Sequence, residues 1–281
     1  MNNFWQRAIT GALFVVVLVG AIILGGWYMK SLFILITALG LIEFYKLFKN
    51  SESKPQVITG TLLGVSLIAV TFISADHHSF LSVLGGILLL SLISISIVEL
   101  FRDQKKPFEN IGITLLGIVY IALPFILLNA MWYSPTGVIN AANEDKFMAG
   151  FWPILTVFIL IWCNDTFAYL TGRLIGKHKL FERISPKKTW EGFIGGAVFA
   201  VLGGLCIAWF TEQSFMKLVA FALTASVIGT LGDLVESMLK RSLNVKDSGK
   251  ILPGHGGILD RFDAVLFATP AIFFLEKVIF A

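Results

Sequence analysis

Apolar runs of roughly 17 to 25 residues recur along almost the whole chain, the length a helix needs to cross a hydrocarbon core of about 30 Å. With 281 residues, a mean hydropathy of +0.82 and only 14% charged side chains, there is too little polar surface to cover a soluble globule. The expected fold is therefore all-α, a polytopic integral membrane protein. Polar punctuation separates about nine candidate spans, near residues 8–26, 28–47, 57–75, 79–100, 110–132, 149–170, 190–210, 214–239 and 259–280. Residues 1–132 then form an N-terminal region of about five spans. Residues 133–281 form a C-terminal region of about four, with loops at 171–189 and 240–258.

Arg7 ahead of the run from Ala8 to about Gly26 resembles a secretory signal, but the run exceeds the usual apolar length of about 7 to 15 residues, so a retained span is expected. Only Gly25-Gly26-Trp27 joins the first two spans, which predicts a hairpin. Cys163 and Cys206 both fall in apolar runs without metal-type spacing, and read as buried, inert thiols.

Basic residues set the orientation, because Lys and Arg near span ends stay on the cytoplasmic side. With the connections numbered alternately, 18 of the 22 basic residues fall on one side; only Lys30, Lys146, Lys217 and Lys277 fall on the other. The N-terminus is expected in the cytoplasm, and the loops 171–189 and 240–258 share that face. The connection from Tyr133 to Met148 and the turn Asp76-His77-His78 lie on the opposite side and carry no expected chemistry.

Ionisable groups inside spans are costly and mark wet cavities or sites. Asp165, Glu191, Asp233, Glu236, Asp260 and Asp263 are all expected at one depth beside the two basic loops. Residues three or four apart share a helix face, so Asp233, Glu236 or Ser237, Lys240 and Arg241 form one polar stripe and Asp260 and Asp263 another. Converging carboxylates offer hard oxygen ligands for Mg²⁺, which binds through one or two carboxylates with waters and phosphate oxygens. Gly254-His255-Gly256-Gly257 supplies backbone that can approach a phosphate and leads into the positive end of a helix. In the other basic loop, Ser185-Pro186 reads as an N-cap and first turn, so that Lys187 and Lys188 begin a helix or turn before the seventh span. GRLIGKH, from Gly172 to His178, has the wrong spacing for a Walker loop and lacks the hydroxyl residue after the lysine.

The stretch SMLKRSLNVKDSGKILPGHGGILDRFD, from Ser237 to Asp263, resembles the signature of the integral-membrane phosphatidate cytidylyltransferases over its whole length. NDTFAYLTGRLIGKHKL, from Asn164 to Leu180, and SPKKTWEGFIGG, from Ser185 to Gly196, are similar to further segments of that family. The resemblance implies transfer of CMP from CTP to phosphatidic acid, giving CDP-diacylglycerol and pyrophosphate, with a divalent cation required, here expected to be Mg²⁺. It implies Asp233 and Asp260 as Mg²⁺ ligands and Asp263 as a third carboxylate near the metals, serving a second, monovalent cation such as K⁺. Lys188 joins these aspartates as catalytic. Ser185, Lys187, Lys188, Ser237, Lys240, Arg241, Lys246 and His255 are the expected substrate contacts. A homodimer through membrane helices, surrounded by membrane lipids and with no nucleic-acid partner, is implied as well.

The rival readings are a membrane transporter with a polar site on the cytoplasmic side and a related CTP-dependent lipid kinase. A transporter predicts charges near the midplane and an inverted repeat; here the charges gather at one edge and no repeat is evident. The short chain suggests a bacterial inner membrane, with the active site facing the cytoplasm.

Overall fold

In the computed structural model, which describes residues 3–71, 77–132, 146–249, 251, 254 and 256–280, the chain is helical except for one short β-hairpin. The helices are α1 (Asn3–Leu24), α2 (Gly26–Leu47), α3 (Val57–Thr71), α4 (His77–Leu100), α5 (Pro107–Gly117), α6 (Leu123–Trp132), α7 (Lys146–Ile175), α8 (Trp190–Thr211), α9 (Phe215–Ser242) and α10 (Leu259–Val278). A π turn, Ile118–Ala122, runs α5 into α6. Pro124 follows it and cannot donate to the carbonyl of Tyr120, which accounts for the register change at that point. With α5, the π turn and α6 taken as one rod, each of the nine expected spans coincides with a helix among the described residues.

Six described helical stretches are long and apolar enough to cross a membrane: Gly26–Asn50, Ser82–Leu100, Pro107–Trp132, Gly150–Ile175, Trp190–Thr211 and Phe215–Ser242. Ala8–Leu24 and Val57–Thr71 are shorter apolar helices. The 20-residue α10 is apolar in its middle but carries Asp260, Arg261 and Asp263 at one end and Glu276 and Lys277 at the other. The protein is an all-α polytopic membrane protein. At about 1.5 Å per residue, the 28 residues of α9 and the 30 of α7 exceed the thickness of the hydrocarbon, so their ends reach beyond it. The 133–148 connection and the Asp76-His77-His78 turn fall wholly or partly outside the described residues.

The chain divides into two compact units. The first comprises Met1–Ala130 and Ser242–Arg261; the second comprises Met131–Arg241 and Phe262–Ala281.

Within the first unit, Gly25 adopts φ 59° between α1 and α2, a left-handed backbone that suits glycine and makes the expected hairpin. Small residues then let the helices close on Tyr45. A Cβ at Gly60 of α3 would lie 2.5 Å from the Tyr45 hydroxyl, and one at Gly117 of α5 would lie 2.5 Å from the edge of the same ring. Close backbone approach through glycine is the usual way helices pack in lipid, where apolar burial alone gives no preference for a neighbouring helix. The Tyr45 hydroxyl donates to the carbonyl of Thr114 at 2.8 Å. A buried polar network lies beside it. Glu99 accepts from Asn110 at 2.6 Å, from Gln56 at 2.7 Å and from Arg102 at 2.7 Å, so one buried carboxylate ties α4, α5 and the 51–56 segment together.

In the second unit, α7 and α8 run with their backbones in contact. A Cβ at Gly192 would sit 2.7 Å from the carbonyl oxygen of Ala168, and one at Gly196 would sit 2.7 Å from that of Asn164. A Cβ at Gly232 of α9 would likewise meet the carbonyl of Asp263 at 2.8 Å, which fixes α9 against α10. Far along the same helix pair, Lys217 Nζ is buried 3.5 Å from Glu276 Oε1. Neither cysteine is in a disulfide. Cys206 is exposed on α8 and Cys163 only half-buried on α7, against the expectation that both thiols are buried.

Candidate active site

The second unit brings together residues from four elements. α7 continues past Asp165 to Ile175, and the chain then forms an antiparallel hairpin of β1 (Lys179–Phe181) and β2 (Ser185–Thr189) before α8. This corrects the reading of Ser185-Pro186 as a helix start. Both lie in an extended strand, and the N-cap of α8 is Thr189, whose hydroxyl accepts from Gly192 N at 3.2 Å. Pro186 lacks a donor, which an edge strand tolerates. Successive side chains of a strand point to opposite faces, and accordingly Lys187 is exposed whereas Lys188 is half-buried.

Glu191, in the first turn of α8, steadies this hairpin. It accepts from the backbone N–H groups of Lys177, at 3.1 Å, and His178, at 3.2 Å, and lies 2.5 Å from His178 Nδ1. Its carboxylate thus orders the turn after α7 and is not gathered with the other acids as expected from the sequence.

Lys188 Nζ lies 2.6 Å from Asp233 Oδ2 on α9. Asp233 Oδ1 in turn accepts from Ser237 Oγ at 3.3 Å, one turn further along the helix. Asp165 is close enough to feel the charges of both Lys188 and Asp233, and its Oδ1 accepts from Asn164 Nδ2 at 3.3 Å. Asp263, on α10, feels the carboxylates of Asp233, Glu236 and Asp165. Lys240, an expected phosphate contact, is buried with its Nζ 3.1 Å from Glu236 Oε1. Four carboxylates therefore share one neighbourhood with two lysines, a formal excess of negative charge that favours a cation. Ser185 is half-buried and pairs across the hairpin with Phe181, and Arg241 is exposed at the end of α9.

The signature loop belongs to the first unit. α9 ends at Ser242, and Asn244 takes φ 56°, the left-handed conformation asparagine tolerates after a helix. Lys246 and Asp247 follow on the surface. Gly254 and Gly256 adopt φ 76° and 80°, which explains their place in the turn before α10; His255 between them lies outside the described residues. Asp260 Oδ2 accepts from the backbone N–H of Gly257 at 2.8 Å and of Ser248 at 3.1 Å, and so joins the two ends of the loop.

Sequence reasoning missed Glu43. This carboxylate of α2 is only 4% exposed; Ser248 Oγ donates to its Oε1 and Ile258 N to its Oε2, the latter at 2.8 Å. A carboxylate inside the expected span 28–47 was the available signal.

Among the described residues, no three His, Cys, Asp or Glu side chains converge as a ready-made metal cage. The donor chemistry nonetheless fits Mg²⁺. Within the second unit, Asp233 and Asp263 offer hard carboxylate oxygens, and this ion takes one or two such ligands and completes its shell with water and phosphate; Asp260, in the first unit, offers the same donor chemistry.

Comparison with known proteins gives the family. The profile described as "Cytidylyltransferase family" matches residues 5–279. The chain belongs to the cytidylyltransferase family. Its relatives include proteins named phosphatidate cytidylyltransferase from Bacillus subtilis strain 168, 35% identical and covering 98% of each chain, and from Synechocystis, 30% identical over 96% of this chain and 95% of the relative. A third, from Staphylococcus epidermidis, is 36% identical over 89% of this chain and 91% of its own length. The match spans both units of this cytidylyltransferase, the N-terminal helices as well as the signature loop.

Proposed function

We propose that this protein is a phosphatidate cytidylyltransferase, which transfers CMP from CTP to phosphatidic acid and releases pyrophosphate. The observation that carries the reading is the Lys188–Asp233 pair set among Asp165, Glu236 and Asp263. A lysine held half-buried by a carboxylate is pre-oriented to meet an incoming phosphate, and the surrounding acids suit a cation that accompanies it. The names of the full-length relatives supply the substrates.

An oxygen of the phosphatidate phosphate attacks the α-phosphorus of CTP. One P–O bond forms to that phosphorus, and the bond from it to the β-phosphate oxygen breaks. The attacking group is the substrate's own phosphate, so no protein nucleophile is required. The protein must align two anions that repel each other and stabilise the charge on the departing pyrophosphate. Lys188 supplies charge at this point, and Asp233 fixes where its Nζ stands. Ser185, Lys187, Ser237, Lys240, Arg241, Lys246 and His255 are the further proposed substrate contacts. Asp233 and Asp260 are the proposed ligands of Mg²⁺, with Asp263 the carboxylate for a second, monovalent cation such as K⁺. Bound there, Mg²⁺ would neutralise phosphate charge and polarise the reacting phosphorus.

The excess of basic residues on alternate connections supports a site facing the cytoplasm, where CTP is dissolved, in the inner membrane of a bacterium. The proposed assembly is a homodimer in contact with membrane lipids.

The test is direct. Purified protein in detergent, supplied with CTP, Mg²⁺ and phosphatidic acid, is expected to form CDP-diacylglycerol and pyrophosphate in equal amounts. Absence of both products, or undiminished product from Asp233→Asn and Asp260→Asn, would overturn the assignment.

A further inference from the structure

Both ends of the signature loop meet on one carboxylate that does not belong to the signature. Glu43 stands on α2, 205 positions before Ser248 and 215 before Ile258. Its two oxygens are used separately: Oε1 takes the Ser248 hydroxyl and Oε2 takes the Ile258 N–H at 2.8 Å. The loop backbone is shaped to admit it. A Cβ at Gly249 would lie 2.7 Å from the carboxyl carbon, and one at Gly257 would overlap the carboxylate itself. Glycine at these two positions is therefore explained by the presence of Glu43 and not by backbone angle, since neither has positive φ.

Asp260 holds the same two ends, through Ser248 N and Gly257 N. Gly256 is just as tightly fitted, since a Cβ there would come within 2.6 Å of Asp260 Oδ2. Glu43 and Asp260 thus form two adjacent staples across one loop. The outer of the two is proposed to serve the reaction, whereas the inner one is buried and held by protein donors. A shift of Ser248 or Ile258 would be transmitted to the atoms that orient Asp260, because each is bonded to or next in sequence to an Asp260 donor.

We propose that Glu43 is a positioning residue for cytidylyl transfer, its buried carboxylate fixing both ends of the 248–258 loop and thereby the orientation of Asp260. This rests on the reading of Asp260 as a residue of the transfer site. It gives the N-terminal helices a part in catalysis through a specific contact.

The experiment uses the full-length protein in detergent and measures kcat, KM for CTP, and melting temperature. Glu43→Ala is expected to lower kcat by about 100-fold, the scale of a misplacement of about 1 Å, with a much smaller change in KM. Glu43→Gln keeps the length of the side chain; its oxygen can accept from Ile258 N and its amide can donate to Ser248 Oγ, so kcat should recover to within about 10-fold of the original. Gly257→Ala retains the Glu43 side chain but crowds its carboxylate out of the loop, and should resemble Glu43→Ala. A folded Glu43→Ala with unchanged kcat would overturn the proposal, as would Glu43→Gln falling as far as Glu43→Ala. If Glu43→Ala does not fold, Gly257→Ala decides: full kcat overturns the proposal and a fall with KM retained supports it. Asp260→Asn separates the two readings. If it keeps full kcat, the assignment of Asp260 falls; if it is inactive while Glu43→Ala is fully active, only the role of Glu43 falls.

Discussion

Lys188 Nζ stands 2.6 Å from Asp233 Oδ2, so a lysine of the β-hairpin is anchored to a carboxylate of α9. This fixes a mobile cation at one point. Lys188→Ala is expected to reduce kcat/KM by about 100- to 1,000-fold, the range for loss of one oriented group that stabilises developing charge. Lys188→Arg should restore part of it, since charge returns without the compact ammonium. Steady-state kinetics check both, with circular dichroism to establish that the helices remain.

Glu191 acts on Lys188 at a distance, by holding the turn at Lys177 and His178 that leads into the hairpin. Glu191→Ala should lower kcat about 10-fold, by loosening the hairpin without removing any substrate contact. Limited proteolysis at the exposed Arg183, faster in the variant, would report that loosening directly.

Removing divalent cations with EDTA should abolish product formation, and excess Mg²⁺ should restore it. Asp233→Asn, assayed over a range of Mg²⁺, should need more of the ion for half-saturation, because a neutral amide is the poorer hard-oxygen ligand. Unchanged Mg²⁺ dependence in both Asp233→Asn and Asp260→Asn would place the ion elsewhere.

The glycines around Tyr45 predict a stability effect separate from activity. Gly60→Ala puts a methyl group against the Tyr45 hydroxyl, and overpacking of this kind costs about 1–3 kcal/mol. A lower melting temperature in detergent is expected, with kcat per folded molecule unchanged.

Orientation has its own check. With Cys163 and Cys206 replaced by serine, since Cys206 is exposed, a cysteine introduced by Glu182→Cys in the hairpin turn should resist an impermeant maleimide in intact cells. It should react in inverted membrane vesicles.

The helices were legible in the sequence because the need to satisfy backbone groups in lipid leaves long apolar runs few alternatives. The acidic group of Asp165, Asp233, Glu236 and Asp263 was legible for a related reason, as intramembrane charge is conspicuous. The hairpin was not. Ser185-Pro186 is a good local helix start, and only tertiary pairing of Lys179 with Thr189 and Phe181 with Ser185 makes the segment extended. Glu191 was assigned by depth alone, whereas its partners, three backbone and ring nitrogens at 177–178, belong to that hairpin. Pro124 and a carboxylate inside a span were visible signals for the π turn and for Glu43, but a proline does not say which register change answers it, and the donors to Glu43 lie 205 and 215 residues away.

The grouping of Ser242–Arg261 with Met1–Ala130 sets an order of events during synthesis. Glu43 is made early, yet the serine that bonds it comes 205 residues later. At about 5–20 residues per second, the ribosome takes about 10–40 s to cover that distance. Throughout that interval the carboxylate must find water or a temporary donor, since leaving it buried and unpaired is costly. The first unit is thus begun first and sealed nearly last, and a chain that terminates before Ser248 leaves its oldest buried acid without either of the partners that hold it in the finished protein.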